Sequence, residues 1–489
     1  MAVLTIFDQI IKSLRLAIQS FPDKRTGKNL TYTIEDIVLS AFSVFFIQSP
    51  SFLAYQRTMK KMNGMSNAET LFKIEKIPSD NHIRDILDNV HPERLFSVFD
   101  LIFEIFKKNG YLNSFRGINR NLLIALDGIQ YFSSEKIHCK NCSVTHHRDG
   151  TIGYHHSVIT PVIVAPGQKH AIPLCPEFIT PQDGYEKQDS EIAAAKRWIC
   201  KYAGKYVVRL ITILGDDLYS RQPFCEELLK LGFHFILVCK RESHKTLYKW
   251  VDLLESMGDL HVFTKKVRNG RKTEFHTYRY ANKLPIRDTD DALMVNWCEL
   301  TIRDEGGKIL YKNAFITDHM ITTRNVASIT RSGRARWKIE NENNNTLKTK
   351  GYNLEHNYGH GDENLSTLLA TLNILAFLIH TLMEFTDEKY RLLRAELPTR
   401  KTFFDDVRAL TRYMCFGSWN DRLVGNYSGI LIGRTIAILY FLARKITAEG
   451  AEERRVVKRL SSLCASLRPL WLNSLFGYGI SWVLMVSAQ

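Results

Sequence analysis

The chain has 489 residues, 45% apolar and 24% charged, a balance that excludes a disordered, collagenous or disulfide-scaffold polypeptide and allows roughly two to four domains. Its 66 Lys and Arg against 51 Asp and Glu leave a net charge of +15 and a pI near 9.3, which favours a polyanionic partner. Nine cysteines, an odd number at uneven spacing, cannot all pair with one another and fit a reducing compartment better than a disulfide framework.

Residues 1–115 read as mostly helical. Ile6, Ile10, Leu14 and Ile18 mark one face of an opening amphipathic helix; Asp8 interrupts the apolar stretch and no basic leader precedes it, so a signal peptide is not expected. A basic linker, SFRGINRN, follows at 114–121. From Leu122 the pattern changes to short apolar runs, predicting strands at 122–126, 156–165, around 171–174, 207–214 and 233–239, with helices at 190–203 and 223–231. Strands first and then alternating helix and strand predict an α/β core around a mixed sheet. Residues 244–322 read as β-rich, with hairpin turns at Asn269-Gly270 and Gly306-Gly307. The Arg-rich segment RARWKIENENNNTLKTK at 334–350 reads as a helix, and mainly helical sequence follows from 365. Residues 364–383 carry no Asp, Glu, Lys or Arg and approach spanning length, but Asn373 and His380 make a buried core helix the expectation. The tail after Arg468 is also free of charge, and Pro469, Asn473, Gly477 and Gly479 interrupt it.

Three acids stand where a metal-binding carboxylate is useful. Asp127 and Asp216 each follow an apolar strand, at the sheet edge where open α/β folds place ligands. Asp127 before Gly128 also suits a plain turn, and Asp217 is a rival to its neighbour. Glu340 shares a helix face with Arg336, Asn344 and Leu347/Lys348, an arrangement that suits a metal ligand flanked by phosphate contacts, or simply a solvated ion pair. Three carboxylates together suit magnesium or manganese and phosphodiester chemistry. Cys139 and Cys142 have the spacing of a zinc knuckle, with His146, His147, His155 and His156 as further possible ligands. Basic patches that could meet DNA are Lys265, Lys266, Arg268, Arg271 and Lys272 in the first hairpin; Lys187, Gln188, Lys196 and Arg197; and Arg391, Arg394, Arg400 and Lys401.

The segments IALDG around Asp127, LGDDLY around Asp216 with Tyr219, and FITDHMITTRNVASI leading into RARWKIENENNNTLK resemble the DDE transposases of bacterial insertion sequences. Arg336, Trp337 and Glu340 match that family's Arg-Trp-x-x-Glu signature, and the resemblance runs from about Lys24 to about residue 385. Three positions depart from it: Gly333 stands where a Tyr is usual, Leu347 stands where a Lys is usual with Lys348 beside it, and an Asn run replaces an aromatic or apolar residue after the Glu. The resemblance implies an RNase H-like α/β core interrupted by a β-rich insertion and flanked by helical domains. Its expected divisions are 1–115, a helical DNA-end-binding domain; 116–243, the first part of the core; 244–325, the insertion; 326–390, the second part with the Glu helix; and 391–489, a helical region.

Metal-dependent cleavage at transposon ends and strand transfer would then fall to Asp127, Asp216 and Glu340 holding Mg²⁺ or Mn²⁺, with Arg336, Trp337 and Lys348 contacting DNA. Expected partners are double-stranded transposon ends and target DNA, bound by a homodimer, with no membrane and a cytoplasmic, nucleoid-associated location. The alternative is an inactive or domesticated DNA-binding descendant.

Overall fold

Side-chain caps and apolar spacing set the helices that open the chain. The computed structural model describes residues 5–27, 30–181, 189–270 and 272–419. Thr5 and Thr33 start α1 (Ile6–Ile18) and α2 (Ile34–Phe46) through reciprocal capping boxes with Asp8 and Asp36. α1 buries Ile10, Leu14 and Ile18, the face its spacing predicts. Helices α3 (Phe52–Met59), α4 (Met62–Phe72), α5 (Asp80–Leu87) and α6 (Phe96–Lys108) complete this helical region.

Two sheets follow. Their strands are β1 (Leu122–Ala125), β2 (Gly128–Ser134), β3 (Ser143–His146), β4 (Ile152–Ile159), β5 (Val162–Val164), β6 (Ile172–Pro173), β7 (Glu177–Ile179), β8 (Ile211–Gly215), β9 (His234–Val238), β10 (His261–Asn269), β11 (Lys272–Pro285), β12 (Met294–Asp304) and β13 (Ile309–Thr317). Nine of them form one mixed sheet in the order β10-β11-β12-β13-β9-β8-β1-β5-β6. β8 lies parallel to both β1 and β9, and the remaining pairs are antiparallel. A smaller sheet has the order β2-β4-β3, with β7 also paired to β4. Helix α7 (Glu191–Ala203) leads from β7 of the smaller sheet to β8 of the large one, and α8 (Gln222–Lys230) and α9 (Lys245–Met257) connect strands of the large sheet. The expected mixed α/β architecture is therefore present.

Several local expectations change. The apolar run at 207–214 is not all strand: Val208–Leu210 is a 3-10 turn feeding β8, and it leaves Val207 and Leu210 exposed. The 156–165 run divides at Thr160-Pro161 into β4 and β5, which belong to different sheets. The β-rich stretch does not begin at 244, because α9 comes first; its amphipathic spacing buries Leu247, Tyr248 and Val251. Strands β10–β13 extend the central sheet, because β13 pairs with β9. In the first hairpin Asn269 pairs with Lys272, so the turn lies one residue later than expected, with Gly270 at φ +62°. Arg271 lies outside the described residues.

α10 (Val326–Arg334) crosses the sheet and leads through a 3-10 turn (Ala335–Trp337) and a π turn (Ile339–Asn344) into α11 (Asn345–Thr349). The regular helix expected over 334–350 is thus broken twice. α12 (Leu365–Thr386) is one helix long and apolar enough to cross a membrane, yet every residue from Leu365 to Met383 is buried within the fold. It packs against α2, α6 and α13 (Glu388–Glu396). Its polar groups are placed accordingly. His380 Nδ1 lies 2.6 Å from the Tyr352 hydroxyl, Asn373 Nδ2 donates to the Tyr352 carbonyl, and burial drives the His380 pKa far down.

α14 (Arg400–Tyr413) is the last helix described. The chain divides into two units, residues 1–423 and 424–489. The second lies outside the described residues, as does the uncharged tail.

Candidate active site

Asp127 and Asp216 reach the same edge because their strands are parallel neighbours, with Ala125 opposite Leu214. Each carboxylate comes just after its strand ends. The half-buried Asp127 accepts a 2.9 Å hydrogen bond from Asn344 Nδ2. Among the described residues, Asp216 accepts only from the Leu218 backbone N–H, at 2.8 Å. Its rival Asp217 is differently employed. It accepts from the Lys240 backbone N–H at 2.6 Å and from the Ser243 hydroxyl, and it lies 3.7 Å from His244, so it fastens the loop after β9.

Glu340 arrives on the π turn. Its side chain is about half exposed and pairs with Arg336 at 2.7 Å, one turn earlier. The π turn also turns two consecutive asparagines inward, Asn343 and Asn344, both buried. Asn343 Nδ2 donates to Thr160 Oγ1 at 3.0 Å and to Asn344 Oδ1 at 2.9 Å, and Thr160 donates to Asn344 Oδ1 at 3.1 Å. That chain of bonds orients the amide that holds Asp127. The Asn run therefore replaces an apolar residue for a structural reason, as the buried support of a carboxylate.

A fourth acid was not found by sequence reasoning. Glu191, in the first turn of α7, accepts from the Gly128 backbone N–H at 3.1 Å and from the Tyr219 hydroxyl at 2.6 Å. Gly128 has a packing reason beyond its turn, because a Cβ there would lie 2.5 Å from Glu191 Oε2. The available signal was Glu191 directly after Ser190, the N-cap of α7. In the sequence the cations of its neighbourhood stand out instead. Of those, Lys187 and Gln188 lie outside the described residues, and Arg197 is tied to Glu177 and Asp189.

Electrostatics mark Asp127 as the focus. Burial raises its pKa to about 7, the charges of Glu191, Glu340 and Asp216 add to the rise, and Arg336 opposes it. Tyr219 beside them is pushed far above the usual phenol range, by burial and then by Glu191. Asp127 feels the charges of the other three acids, but the four do not converge on one point. Among the described residues, two groups, both away from these acids, bring three or more metal-binding atoms within 4.8 Å of one another.

One of these contains Cys139, Cys142, His156 and His360. Of the four histidines expected near the cysteines, only His156 turns inward; His146 and His147 are exposed, and the partly exposed His155 faces Thr145. The second group, His234, Asp318 and His319, is engaged by protein partners. His234 Nδ1 lies 2.5 Å from Asp318, which also accepts from the Phe235 N–H, and His319 lies 3.1 Å from the Thr212 hydroxyl.

The proposed DNA contacts divide. Trp337 is 44% exposed beside the acids. Lys348 is paired with Glu355. Lys265, Lys266, Arg268 and Lys272 are exposed, and among the described residues none is paired with a carboxylate. Arg394 and Arg400 do not form a surface patch, because both are largely buried around Glu384, with Arg400 at 2.8 Å. Arg391 and Lys401 are exposed.

No family model matches the sequence, and no curated protein matches it. Among solved structures, the chain is similar to one described as the cryo-EM structure of piggyBac transposase synaptic complex with hairpin DNA. That likeness covers 83% of this chain and 82% of that one, at 11% identity and a TM-score of 0.35.

Proposed function

We propose that this chain is a DNA transposase of the DDE type, with Asp127, Asp216 and Glu340 as its carboxylate triad on an RNase H-like core. The observation that carries this reading is the electrostatic convergence on Asp127. Acids from the first turn of α7, the π turn after α10 and the end of the parallel β8 act together on the half-buried carboxyl group at the end of β1. The run β6-β5-β1-β8-β9, antiparallel on one side of β1 and parallel on the other, supports the RNase H-like assignment, with β10–β13 as the β-rich insertion.

The donors fit a hard divalent cation: they are all carboxylate oxygens, and Arg336 relieves only part of their mutual repulsion. Asp127, Asp216 and Glu340 would hold Mg²⁺ or Mn²⁺, and the bound ions would supply Lewis-acid stabilisation of phosphoryl oxygens and a more acidic attacking water or 3′-hydroxyl. The remaining residues position the acids and the DNA. Asn344 fixes Asp127, Gly128 and Tyr219 fix Glu191, and exposed Trp337 offers a ring for an unstacked base. Arg336 is placed to exchange its bond to Glu340 for a DNA phosphate. Substrates are transposon ends and target duplex, and the synapsis of two ends calls for a homodimer.

The test is cleavage of the element's own end DNA with Mg²⁺ or Mn²⁺, comparing wild type with Glu340→Gln. Metal-dependent cutting by wild type alone, with DNA binding equal in both proteins, is the expected result. Binding without cutting by wild type would sink the enzymatic reading and leave an inactive DNA-binding descendant.

A further inference from the structure

The Cys139, Cys142, His156 and His360 cluster brings four soft or borderline donors to one point from three parts of the chain. Cys139 and Cys142 lie in the loop between β2 and β3, His156 is on β4, and His360 lies between α11 and α12. The sulfurs are 3.9 Å apart. Sulfur-to-nitrogen distances are 3.6 Å and 3.4 Å to His156 and 3.4 Å from Cys142 to His360, and the two Nε2 atoms are 3.1 Å apart. Zinc with ordinary bond lengths at the centre of a tetrahedron gives edges of roughly 3.8 Å for S–S, roughly 3.5 Å for S–N and roughly 3.3 Å for N–N. The observed edges match all three.

Two further observations support a cation here. His360 Nδ1 donates to the Gly361 carbonyl at 2.7 Å, which leaves its Nε2 lone pair aimed at the other three donors. Cys142, His156 and His360 are buried, and two thiolates with a divalent ion make a locally neutral centre. The rings of Tyr131 and Phe132 pack against His156 and His360 and shield the cluster.

We infer that Cys139, Cys142, His156 and His360 form a structural Cys₂His₂ zinc site that fastens the loop after β2 to the segment preceding α12. On binding, each cysteine gives its thiol proton to solvent and both histidines bind as neutral imidazoles. All four positions are filled by protein, so no coordination place is left for substrate. The staple joins the two chain segments that carry Asp127 and Asn344 away from the candidate active site, since β2 begins at Gly128 and α11 begins at Asn345. This inference stands apart from the transposase reading and survives its failure.

The test is metal analysis of the purified full-length chain, with zinc release followed as a mercurial titrates the thiols. About one zinc per chain is expected. At least a fivefold loss is expected in Cys139→Ser and in His360→Ala, with no change in His147→Ala, whose ring lies outside the cluster. Because His360→Ala could fail to fold, His360→Cys is measured beside it: it keeps four ligands and should retain the metal. Cobalt substitution should show thiolate charge-transfer absorption in wild type, strengthened in His360→Cys by the third sulfur. Three outcomes overturn the inference: wild type that neither carries nor takes up zinc, zinc kept undiminished in Cys139→Ser and His360→Ala, or recovery of Cys139 and Cys142 as a disulfide.

Discussion

Asp127 is surrounded by groups that oppose its ionisation, and this sets a pH signature that is measurable before any DNA is added. Its folded pKa is raised from 3.8 to about 7, by burial first and then by Glu191, with Arg336 partly offsetting the rise. The folded chain therefore keeps this proton over a range where the unfolded chain has lost it. Stability from this group is fully present below about pH 4, declines as pH rises toward 7, and is flat above that. In magnesium-free buffer, Asp127→Asn should remove this slope and leave the protein more stable than wild type at pH 8, by an amount on the order of a few kcal/mol. Denaturant melts at pH 5 and pH 8 measure it, and equal slopes in the two proteins would refute the raised pKa. Asn344→Ala acts in the opposite direction. It removes the donor on Asp127 and strands its bonds with Asn343 and Thr160, so a loss of about 1–3 kcal/mol is expected in the same melts.

At the scale of elements, the segment that carries Glu340 depends on close packing where it crosses the sheet. A Cβ on Gly333 would lie 2.8 Å from the Phe315 ring on β13 and 2.9 Å from Ile236 Cγ2 on β9. The departure from the usual Tyr thus has a steric origin: α10 lies too near the sheet for any side chain. Gly333→Ala should lower stability by about 1–3 kcal/mol through overpacking, read as a lower denaturation midpoint, and an unchanged midpoint would show that the helix can lift freely. The same contrast shows which features sequence could disclose. Apolar runs ending in Asp revealed β1 and β8 because a buried strand writes a continuous hydrophobic signature. The Gly306-Gly307 turn was legible because backbone torsion selects its residues, and Gly307 has φ +82°. The π turn left no such trace, since Ile339–Asn344 carries helical spacing and its form is set by the tertiary bonds of Asn343 and Asn344. His360 was equally hidden: it lies 204 residues from His156, and only the fold brings the two rings together. Arg394 and Arg400 looked like surface cations because their partner Glu384 is supplied by α12.

Over the whole molecule, the +15 charge has its clearest unpaired concentration, among the described residues, on the β10–β11 hairpin. β10 is the outer strand of the large sheet, six strand positions from β1. At roughly 4.8 Å per position, that places the hairpin about 29 Å across the sheet from the strand leading to Asp127. The register puts Ala281 of β11 level with Gly215, so the cations also lie several residues further along the strands, and a duplex whose scissile phosphate lies at the acids would meet the hairpin with a turn beyond the one being cut. On the proposed function, replacing Lys265, Lys266 and Arg268 together by Gln should weaken binding of all duplexes alike. It should also reduce the slope of log affinity against log salt by about 2–3, near one unit per cation lost. Cutting at saturating protein should be unchanged, because none of the three reaches the carboxylates. Binding isotherms at several salt concentrations, with end DNA and with unrelated duplex, separate this role from the other use of lysine on an outer strand, which is to keep that edge from pairing with a second sheet. If protection of the edge is the whole role, the salt slope will stay at the wild-type value and the triple variant will self-associate instead.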